Sequence, residues 1–295
     1  MKKFSRREII KAGLAGISTL SAHSLLGNPL ATAGMKIDQV TLGQTGLQVS
    51  RLALGCGNAS WARQSKFTRM GLETFLQVAE YAYQRGVTFL DTADLYGTHQ
   101  FIRELFKKIP RHNFQLMTKI WTLDNDWNKV VPVEETLNRF QEELGTDYFD
   151  ILLLHCLVNG NWVTEKKEFM EKLSEAKANG VIKQVGVSCH DYEALKVAVS
   201  DPWVDIILAR INPLEMSMDG HPDKIAALLK TAHDNGKGVI GMKIFGAGKM
   251  LTDEDRQNSL QYAIKSPDID SITIGMENFD YVDYSVDRVM KIVKS

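Results

Sequence analysis

The chain has 295 residues, of which 44% are hydrophobic and 24% charged, and its formal net charge is −1. This balance is typical of a folded globular protein, and it argues against a disordered chain or a strongly basic one that binds nucleic acid. After residue 33, no apolar run reaches the roughly 20 residues that a membrane-spanning helix needs. The composition therefore favours one globular domain, with no nucleic acid partner and no stable membrane span.

The amino terminus has the pattern of an export signal. Ser5-Arg-Arg-Glu-Ile-Ile-Lys11 resembles the twin-arginine motif, and a weakly apolar stretch and the small residues Ala31-Thr-Ala33 follow it. We expect residues 1–33 to be a cleaved signal peptide that engages the twin-arginine (Tat) translocase, which would place residues 34–295 in the periplasm or outside the cell. Cleavage would leave 30 basic and 35 acidic residues, a formal charge near −5. The alternative interpretation of this segment is a disordered basic tail.

Short apolar runs alternate with amphipathic helical patterns along the rest of the chain. The predicted strands are Leu52–Gly55, Val87–Leu90, Phe114–Thr118, Phe149–Leu154, Ile182–Val187, Val204–Ala209, Gly238–Met242 and Ile269–Ile274. The predicted helices are Leu72–Arg85, His99–Lys108, Val133–Leu144, Lys166–Ala178, Tyr192–Val199, Lys224–Asp234, a seventh that begins at the capping-box pattern Thr252–Asp255, and Tyr281–Val293. Eight strand–helix units in alternation predict an α/β fold, a closed (β/α)8 or TIM barrel.

Four polar residues follow the second, third and fourth of these strands. They are Asp91, Tyr96, Lys119 and His155, and each stands just after its predicted strand or a few residues further on. Because the carboxyl ends of parallel strands meet at one mouth of a barrel, three neighbouring strands would bring an acid, a phenol, an amine and an imidazole together. The pattern therefore predicts a catalytic site at this mouth.

This set of groups suits the reduction of a carbonyl, or the reverse oxidation of an alcohol. Tyr96 can give a proton to the developing alkoxide, and Lys119 can lower the pKa of Tyr96 by favouring the phenolate. Asp91 can hold Lys119 charged and in place, while His155 can orient the carbonyl through a hydrogen bond. Singly, these residues have ordinary structural explanations, as a helix cap, a surface lysine or a core histidine. Together they favour catalysis.

At these residues the chain resembles the aldo-keto reductase family. Asp91-Thr-Ala-Asp-Leu-Tyr-Gly97 is similar to the family's Asp-Thr-Ala-x-x-Tyr-Gly element, and Met117–Lys119 and Leu154–His155 are similar to its lysine and histidine elements. Leu42–Ser50 and the strand after it resemble the family's amino-terminal hairpin and first barrel strand. The resemblance covers roughly residues 36–295. It implies a barrel with an N-terminal β-hairpin and an NAD(P)-dependent oxidoreductase that acts on an aldehyde, ketone or sugar, with the four polar residues as its catalytic set.

The resemblance also implies a site for a nicotinamide dinucleotide on the later strands, since Val185-Gly-Val-Ser188 is similar to the element that contacts the nicotinamide amide. The implied cofactor contacts are Asp91, Ser188, Cys189, Leu208, Met242, Lys243, Phe245, Gly246, Gly248, Lys249, Gly275 and Glu277. Among the side chains that hold the nicotinamide, only the serine matches the family, because a thiol and two apolar side chains stand where it has Asn, Gln and Tyr. His190 can replace one of these contacts.

Two loops bear on which dinucleotide binds. The glycines of Met242–Lys249 would let backbone amides approach a pyrophosphate, and Lys243 and Lys249 could neutralise it. A tight turn is the alternative explanation of that loop. The family places Lys or Arg after strand eight for a 2′-phosphate, but Gly275–Tyr281 has two acids and no base. We expect NADP or NAD, with a slight preference for NAD, because Glu277 would repel a 2′-phosphate and could accept a hydrogen bond from a ribose hydroxyl.

Loop aromatic residues are the candidates for substrate contacts. Trp61 and Trp121 are predicted to line the substrate pocket beside Tyr96 and His155, and Trp162 lies in a third loop of the same mouth. Such walls suit a flat apolar or sugar-like molecule, although aromatic residues also cover core edges. The three cysteines contain no Cys-x-x-Cys pair, so apolar packing is favoured for them and no metal site is predicted.

Export raises a question about cofactor supply, because a dissociable nicotinamide has no obvious regeneration outside the cytoplasm. Three functions therefore stay open. The first is a conventional oxidoreductase. The second is an exported enzyme that retains its nicotinamide and runs a redox-neutral cycle or passes electrons to an external acceptor. The third is a non-enzymatic module that senses nicotinamide. The substrate, the direction of reaction and the oligomeric state are not predicted.

Overall fold

The computed structural model describes residues 35–295, so the predicted signal peptide lies outside the described residues. Eight parallel strands form a closed barrel in the order β10-β3-β4-β5-β6-β7-β8-β9. They are β3 (Leu52–Gly55), β4 (Phe89–Asp91), β5 (Gln115–Ile120), β6 (Phe149–Leu157), β7 (Ile182–Cys189), β8 (Ile206–Arg210), β9 (Gly238–Met242) and β10 (Ser271–Ile274). The predicted barrel is thus confirmed, and every predicted strand overlaps an observed one.

A β-hairpin precedes the barrel, as the sequence predicted. Strands β1 (Gln39–Thr41) and β2 (Gln48–Ser50) are antiparallel, with Val40 opposite Val49. Leu42 and Val49 belong to the same apolar cluster as the inward-facing barrel residues Phe89 and Met117. Burying these side chains against the interior is favourable because it removes apolar surface from water. The hairpin therefore packs on the barrel interior, at the end away from the predicted catalytic residues.

Helices surround the barrel and pack their apolar faces on it. They are α1 (Lys66–Met70), α2 (Leu72–Gln84), α3 (His99–Lys108), α4 (Val133–Leu144), α5 (Trp162–Glu165), α6 (Lys167–Ala178), α7 (Tyr192–Ala198), α8 (Pro222–Asp234), α9 (Asp253–Lys265) and α10 (Phe279–Lys294). Thr252 caps α9 by accepting a hydrogen bond from the backbone of Asp255, as its sequence pattern indicated. None of the helices between residues 35 and 295 is long and apolar enough to cross a membrane.

The observed elements differ from the predicted ones mainly at strand ends and in two loops. β4 to β8 all run past their predicted ends, β6 and β7 furthest, so Asp91, Lys119 and His155 lie within β4, β5 and β6 and not after them. A strand that is buried on both faces has no alternation of polar and apolar residues to mark its end. The loops after β3 and β6 also form the short helices α1 and α5, which are too brief to show a helical period in the sequence.

Candidate active site

The centre of the barrel mouth is an ion pair between Lys119 and Asp91. Lys119 is completely buried on β5, and its ammonium contacts the Asp91 carboxylate on β4 and donates to the Thr92 carbonyl at 2.8 Å. The second Asp91 oxygen accepts a hydrogen bond from the Thr273 hydroxyl at 2.7 Å. A buried charge needs such partners, since leaving it unpaired in a low-dielectric interior is costly. The pair therefore has a fixed geometry, and the structure brings both predicted residues together.

Tyr96 lies beside this pair on a short 3-10 turn, Asp94–Tyr96. Its hydroxyl is 3.5 Å from the Lys119 ammonium, which also lies 4.8 Å from the centre of its ring. A Cβ at Gly57 would come within 2.4 Å of the same ring, so only glycine lets the ring lie against this loop. The five-residue offset between Asp91 and Tyr96 thus places the phenol within reach of the lysine.

The turn that carries Tyr96 is held by Asp94, a residue that sequence reasoning did not single out. The buried Asp94 carboxylate accepts hydrogen bonds from Arg63, in the loop after β3, at 2.8 and 3.2 Å and from Arg139 on α4 at 2.9 and 2.8 Å. Burial alone would raise its pKa, but the two guanidinium groups outweigh burial and lower the pKa below its ordinary value of 3.8. Asp94 therefore holds the turn that positions Tyr96.

Charge and burial set the protonation of the central residues. Burial raises the pKa of Tyr96 to about 12. The charge of Lys119 lowers this pKa, as predicted, but it does not offset the effect of burial, and the charge of Asp91 raises the pKa further. Burial disfavours the Lys119 ammonium, but Asp91 and Tyr96 outweigh it and raise the pKa of Lys119 above its usual value. At neutral pH, the phenol is therefore protonated next to a charged lysine, which suits a proton donor.

His155 completes the group at the fourth barrel strand. Its ring meets Tyr96 edge-on at 5.6 Å and Trp121 at 5.4 Å between centroids. Burial, followed by the charge of Lys119, lowers its pKa well below 6.5, so the imidazole is neutral. Its Nδ1 is buried and has no hydrogen-bond partner among the described residues. A neutral imidazole at this place can donate a hydrogen bond from its ring N–H to a carbonyl oxygen.

Three tryptophans lie near His155, but they are not the three that the sequence suggested. Trp121 packs against Trp127 at 5.4 Å, and Trp61, which is 59% exposed, lies 6.2 Å from each of them. Trp162 is only 1% exposed and donates from its indole to the Ala194 carbonyl, so it belongs to the core. The interpretation of Trp162 as a mouth residue is wrong, while Trp127 was missed because its loop has no repeating pattern.

A cavity of about 430 Å³ opens beside Tyr96 and extends over the ends of the later strands. The predicted cofactor residues that line it are Asp91, Leu208, Met242, Lys243, Phe245, Gly248, Gly275 and Glu277. Lys249 is exposed and Gly246 is buried in its turn, and neither is among the lining residues. Ser188 and Cys189 are buried at the end of β7, and the Ser188 hydroxyl has no hydrogen-bond partner among the described residues.

The far end of the cavity differs from the sequence expectation in its charge. Glu277 is buried, accepts a hydrogen bond from Asn58 and lies 3.5 Å from the Lys66 ammonium. Lys66 and Arg256 line the same cavity and come from α1 and α9. The loop after strand eight has no cation, but α1 and α9 supply two at this end of the cavity. Both helices are far from that loop in the sequence, so a comparison of the loop alone could not identify them.

A second polar group follows β6, β7 and β8 on the other side of His155. Arg210 donates to Asp219 at 3.0 Å and to Nδ1 of His190, whose ring lies 6.4 Å from that of His155. The Cys156 thiol is 3.3 Å from the same His190 nitrogen. Sequence reasoning named His190 but missed Arg210, although a charged residue directly after the apolar run Ile206–Ala209 is the same signal that identified Lys119.

A closed barrel whose carboxyl-end mouth joins a buried acid–lysine pair to a phenol and an imidazole defines the class of protein. It is an enzyme with a polar site at one end of a (β/α)8 barrel. A sequence profile of the aldo/keto reductase family matches residues 53–288. The chain therefore belongs to the aldo/keto reductase family, as its motifs indicated, and it is an oxidoreductase.

Curated relatives agree with this assignment at moderate identity. Methylglyoxal reductase DkgB of Escherichia coli O157:H7 is 26% identical over 188 residues, which are 63% of this chain and 67% of that protein. D-threo-aldose 1-dehydrogenase of a Pseudomonas species is 23% identical over 245 residues, which are 72% of this chain and 71% of that protein. The chain spans about two thirds of the length of the curated relatives that it matches.

Solved structures share the fold. The holo form of an aldo-keto reductase from Bacillus halodurans superposes with a TM-score of 0.67 at 20% identity, covering 88% of this chain and 96% of that chain. An aldo-keto reductase from Klebsiella pneumoniae in complex with NADPH gives a TM-score of 0.65 at 16% identity, covering 87% and 90%. At these identities, the likeness shows the barrel architecture.

Proposed function

We propose that the chain catalyses NAD(P)-dependent reduction of an aldehyde, ketone or sugar carbonyl, or the reverse oxidation of the alcohol. Tyr96 is the general acid and base, assisted by Lys119, Asp91 and His155. The observation that carries this proposal is the contact of the Tyr96 hydroxyl with the buried Lys119–Asp91 pair at the edge of the cavity. The family membership of the chain agrees with it.

The roles of the side chains follow from their surroundings. His155 and Tyr96 lie edge-on, so a carbonyl oxygen between them can accept a hydrogen bond from both and is polarised. The Tyr96 proton passes to that oxygen as negative charge develops on it, and the Lys119 ammonium stabilises the phenolate that remains. Asp91 keeps the ammonium charged and aimed. Trp121 and Trp127 would form the apolar wall that excludes water from the reacting carbonyl.

The cavity has features that suit a nicotinamide dinucleotide, which supplies or accepts the hydride when it is bound. The Ser188 hydroxyl, which has no partner among residues 35–295, is suited to hold the carboxamide, and Gly248 lines the path that a pyrophosphate would take. Both NAD and NADP stay candidates. Glu277 is the basis of the preference for NAD, whereas Lys66 and Arg256 could neutralise a 2′-phosphate.

We further propose that residues 1–33 direct export through the Tat translocase, and that the exported enzyme retains its nicotinamide for a redox-neutral cycle. The sequence pattern carries the first part. The second part is supported by the contact between Asn58 and Glu277, since it joins the loops after β3 and β10 beside the cavity. Such a contact would have to open for a dinucleotide to leave, which slows its dissociation.

Cofactor analysis tests these proposals first. The protein is purified from a periplasmic extract, its absorbance is recorded, and any released ligand is weighed. A stoichiometric nicotinamide dinucleotide supports the retained cofactor and identifies NAD or NADP. A protein that is empty but binds NADH or NADPH on titration supports a conventional oxidoreductase. A protein that binds neither contradicts the proposed reaction.

Removal of the Tyr96 hydroxyl tests its role as the proton donor. Tyr96→Phe should lower kcat by about 100- to 10,000-fold, the usual range for a lost general acid. Binding of the nicotinamide and the melting temperature should change little, because the hydroxyl makes one hydrogen bond within residues 35–295, its long contact with Lys119. Unchanged turnover in this variant would show that Tyr96 is not the proton donor.

A further inference from the structure

The Arg210 side chain has unused hydrogen-bonding capacity in the active site. A guanidinium has five N–H groups, and hydrogen bonds to Asp219 and His190 use two of them. Its Nε is buried and has no partner among the described residues. An unpaired buried donor is costly. Arg210 therefore keeps donors available at the end of β8 beside the catalytic histidine.

The tautomer of His190 follows from its contact with Arg210. A guanidinium can only donate, so Nδ1 of His190 is the acceptor. Burial, followed by the charges of Arg210 and Lys243, lowers the pKa of His190 to about 3, so the ring is neutral. Its proton is then on Nε2, for which no hydrogen bond is found within residues 35–295. His190 therefore offers a further N–H donor close to His155.

Lys243 adds a second cation to the same place. Its ammonium lines the cavity and forms neither a salt bridge nor a hydrogen bond with any described residue. It is close enough for its charge to lower the pKa of both His155 and His190. Its backbone has a φ of 58°, a left-handed conformation that a lysine rarely adopts. This conformation, directly after β9, places a cation that has no partner within residues 35–295 close to the two histidines.

The charges of this group do not balance. Asp91 is paired with Lys119, which leaves Asp219 as the carboxylate that contacts Arg210. Burial and the neighbouring Asp191 raise the pKa of Asp219 to about 6 despite Arg210, so its carboxylate is held less firmly in the charged form. A purely structural role for Arg210 would account for its ion pair with Asp219. It does not explain the unpaired Lys243 ammonium or the free donors of Arg210 and His190.

We propose that Arg210, Lys243 and the Nε2 of His190 form an anion-binding subsite next to Tyr96 and His155. The substrate then carries an anionic oxygen group, a carboxylate or a phosphate, near its reactive carbonyl. Arg210 supplies the directional donors for two oxygens, and Lys243 supplies a point charge. This inference rests on the proposed carbonyl reduction and names the class of substrate for that reaction.

Matched substrate pairs test the subsite. Succinic semialdehyde is compared with its methyl ester, and glycolaldehyde phosphate with glycolaldehyde, so that each pair shares a carbonyl and differs in charge. We expect kcat/KM of the wild-type enzyme to favour the anion by at least about tenfold in one pair, since each charge-assisted hydrogen bond is worth about 10- to 100-fold. The pair that shows the preference distinguishes a carboxylate from a phosphate.

Variants connect the preference to these residues. Lys243→Gln should lower the ratio of anionic to neutral kcat/KM by about 10- to 100-fold. Arg210→Gln alone would leave Asp219 buried and unpaired, so the double variant Arg210→Gln, Asp219→Asn is used, with Asp219→Asn alone as its reference. Lys224→Gln is the matched control, because Lys224 is an exposed lysine on α8 outside the site. It should leave the ratio unchanged.

Calorimetric titration with acetate and inorganic phosphate gives a second readout that does not need turnover. One of these anions should bind to the wild type and the Lys224→Gln control, and more weakly to the Lys243→Gln and double variants. If neutral and charged substrates react equally well and the variants change neither ratio nor binding, the subsite is overturned while the proposed reaction stands. If no carbonyl is reduced but anion binding depends on Arg210 and Lys243, the proposed reaction fails and the subsite stands.

Discussion

Two sides of the barrel mouth differ in how completely their polar groups are paired. On the side of β4 and β5, the Lys119 ammonium and both oxygens of Asp91 have partners. On the side of β6 to β9, the His155 Nδ1, Ser188 hydroxyl and Arg210 Nε are buried without partners in the described part of the chain. The indole nitrogens of Trp121 and Trp127, in the loop after β5, also lack partners there, so the full pairing belongs to the Lys119–Asp91 pair itself. A fully paired network is rigid, whereas buried groups without partners are costly unless a ligand meets them. The Lys119–Asp91 pair is thus built for a fixed reaction, and the side of β6 to β9 is suited to recognition.

Left-handed backbone occurs on both sides of the mouth. Cys156, at the bulge of β6, and Lys243, directly after β9, both have positive φ, at 64° and 58°. On the other side, Gly97 has a φ of 70°, and a Cβ there would come within 1.9 Å of the carbonyl of Arg63, which itself has a φ of 58°. Strain held by non-glycine residues clusters at binding sites. Here, such residues flank the mouth in the loop after β3, at the end of β6 and directly after β9.

The largest expected difference between the two sides is in stability. Lys119→Met or Asp91→Asn alone should lower the free energy of unfolding by about 3–5 kcal/mol, because each leaves an uncompensated buried charge or an unmet partner. The double variant should lose less than the sum of the two. Denaturant unfolding of the four proteins measures this coupling. The same double-mutant cycle on Arg210 and Asp219 should give a smaller coupling free energy. An equal coupling free energy would contradict the difference in pairing between the two sides.

Loss of the Asp94 carboxylate, which holds the Tyr96 turn, should have an intermediate effect on stability. Asp94→Asn removes a buried charge that two arginines contact, and it should cost about 1.5–3 kcal/mol of unfolding free energy and lower kcat more than it raises KM. Asp253→Asn is the control, because Asp253 pairs with Arg288 on the surface, where such pairs contribute less than about 1 kcal/mol. Equal losses in the two variants would argue against a positioning role for Asp94.

The same variant has a pH signature. The folded-state pKa of Asp94 lies below its ordinary value of 3.8, so its contribution to stability is present above that value and is lost as pH falls through the lower folded pKa. The stability gap between wild type and Asp94→Asn should therefore close in acid and stay constant from pH 5 to 7. Thermal unfolding across this range measures it.

The smallest expected effect is a pH dependence of anion binding on the recognition side. As pH falls through about 6, Asp219 takes up a proton and no longer offsets Arg210. The affinity for sulfate, which stays ionised, should rise by about three- to tenfold, corresponding to roughly 1 kcal/mol of Coulomb energy at this range. Asp219→Asn should remove the step. Competitive inhibition by sulfate from pH 5 to 7 measures it.

The other groups around Asp219 do not produce this step. His190 and His155 stay neutral because their pKa values lie well below the usual 6.5, and burial raises the pKa of the Cys156 thiol. Burial lowers the pKa of Lys243 from a value of 10.5. A step that persists in Asp219→Asn would assign the titration to another of these groups.

The sequence was sufficient where a local pattern has one structural solution. Short apolar runs predicted all eight strands, because parallel strands buried on both faces need side chains that are apolar throughout. The helices α3 and α4 have their predicted bounds, since a helical stripe marked each one and the helical period stops at its last residue. Short loop helices and strand ends were missed because they lie below the length at which a period can be detected.

The sequence by itself determined the barrel, the strands that carry Asp91, Lys119 and His155 and the loop position of Tyr96, because period and strand-end position are local properties, while the family resemblance indicated the hairpin. Only the tertiary structure decided which groups are paired. It joined Asn58 to Glu277, which is 219 residues away, and placed Arg210 against His190. It also decided that burial outweighs Lys119 at the Tyr96 hydroxyl, because desolvation depends on every element that covers a group and not on its sequence neighbours.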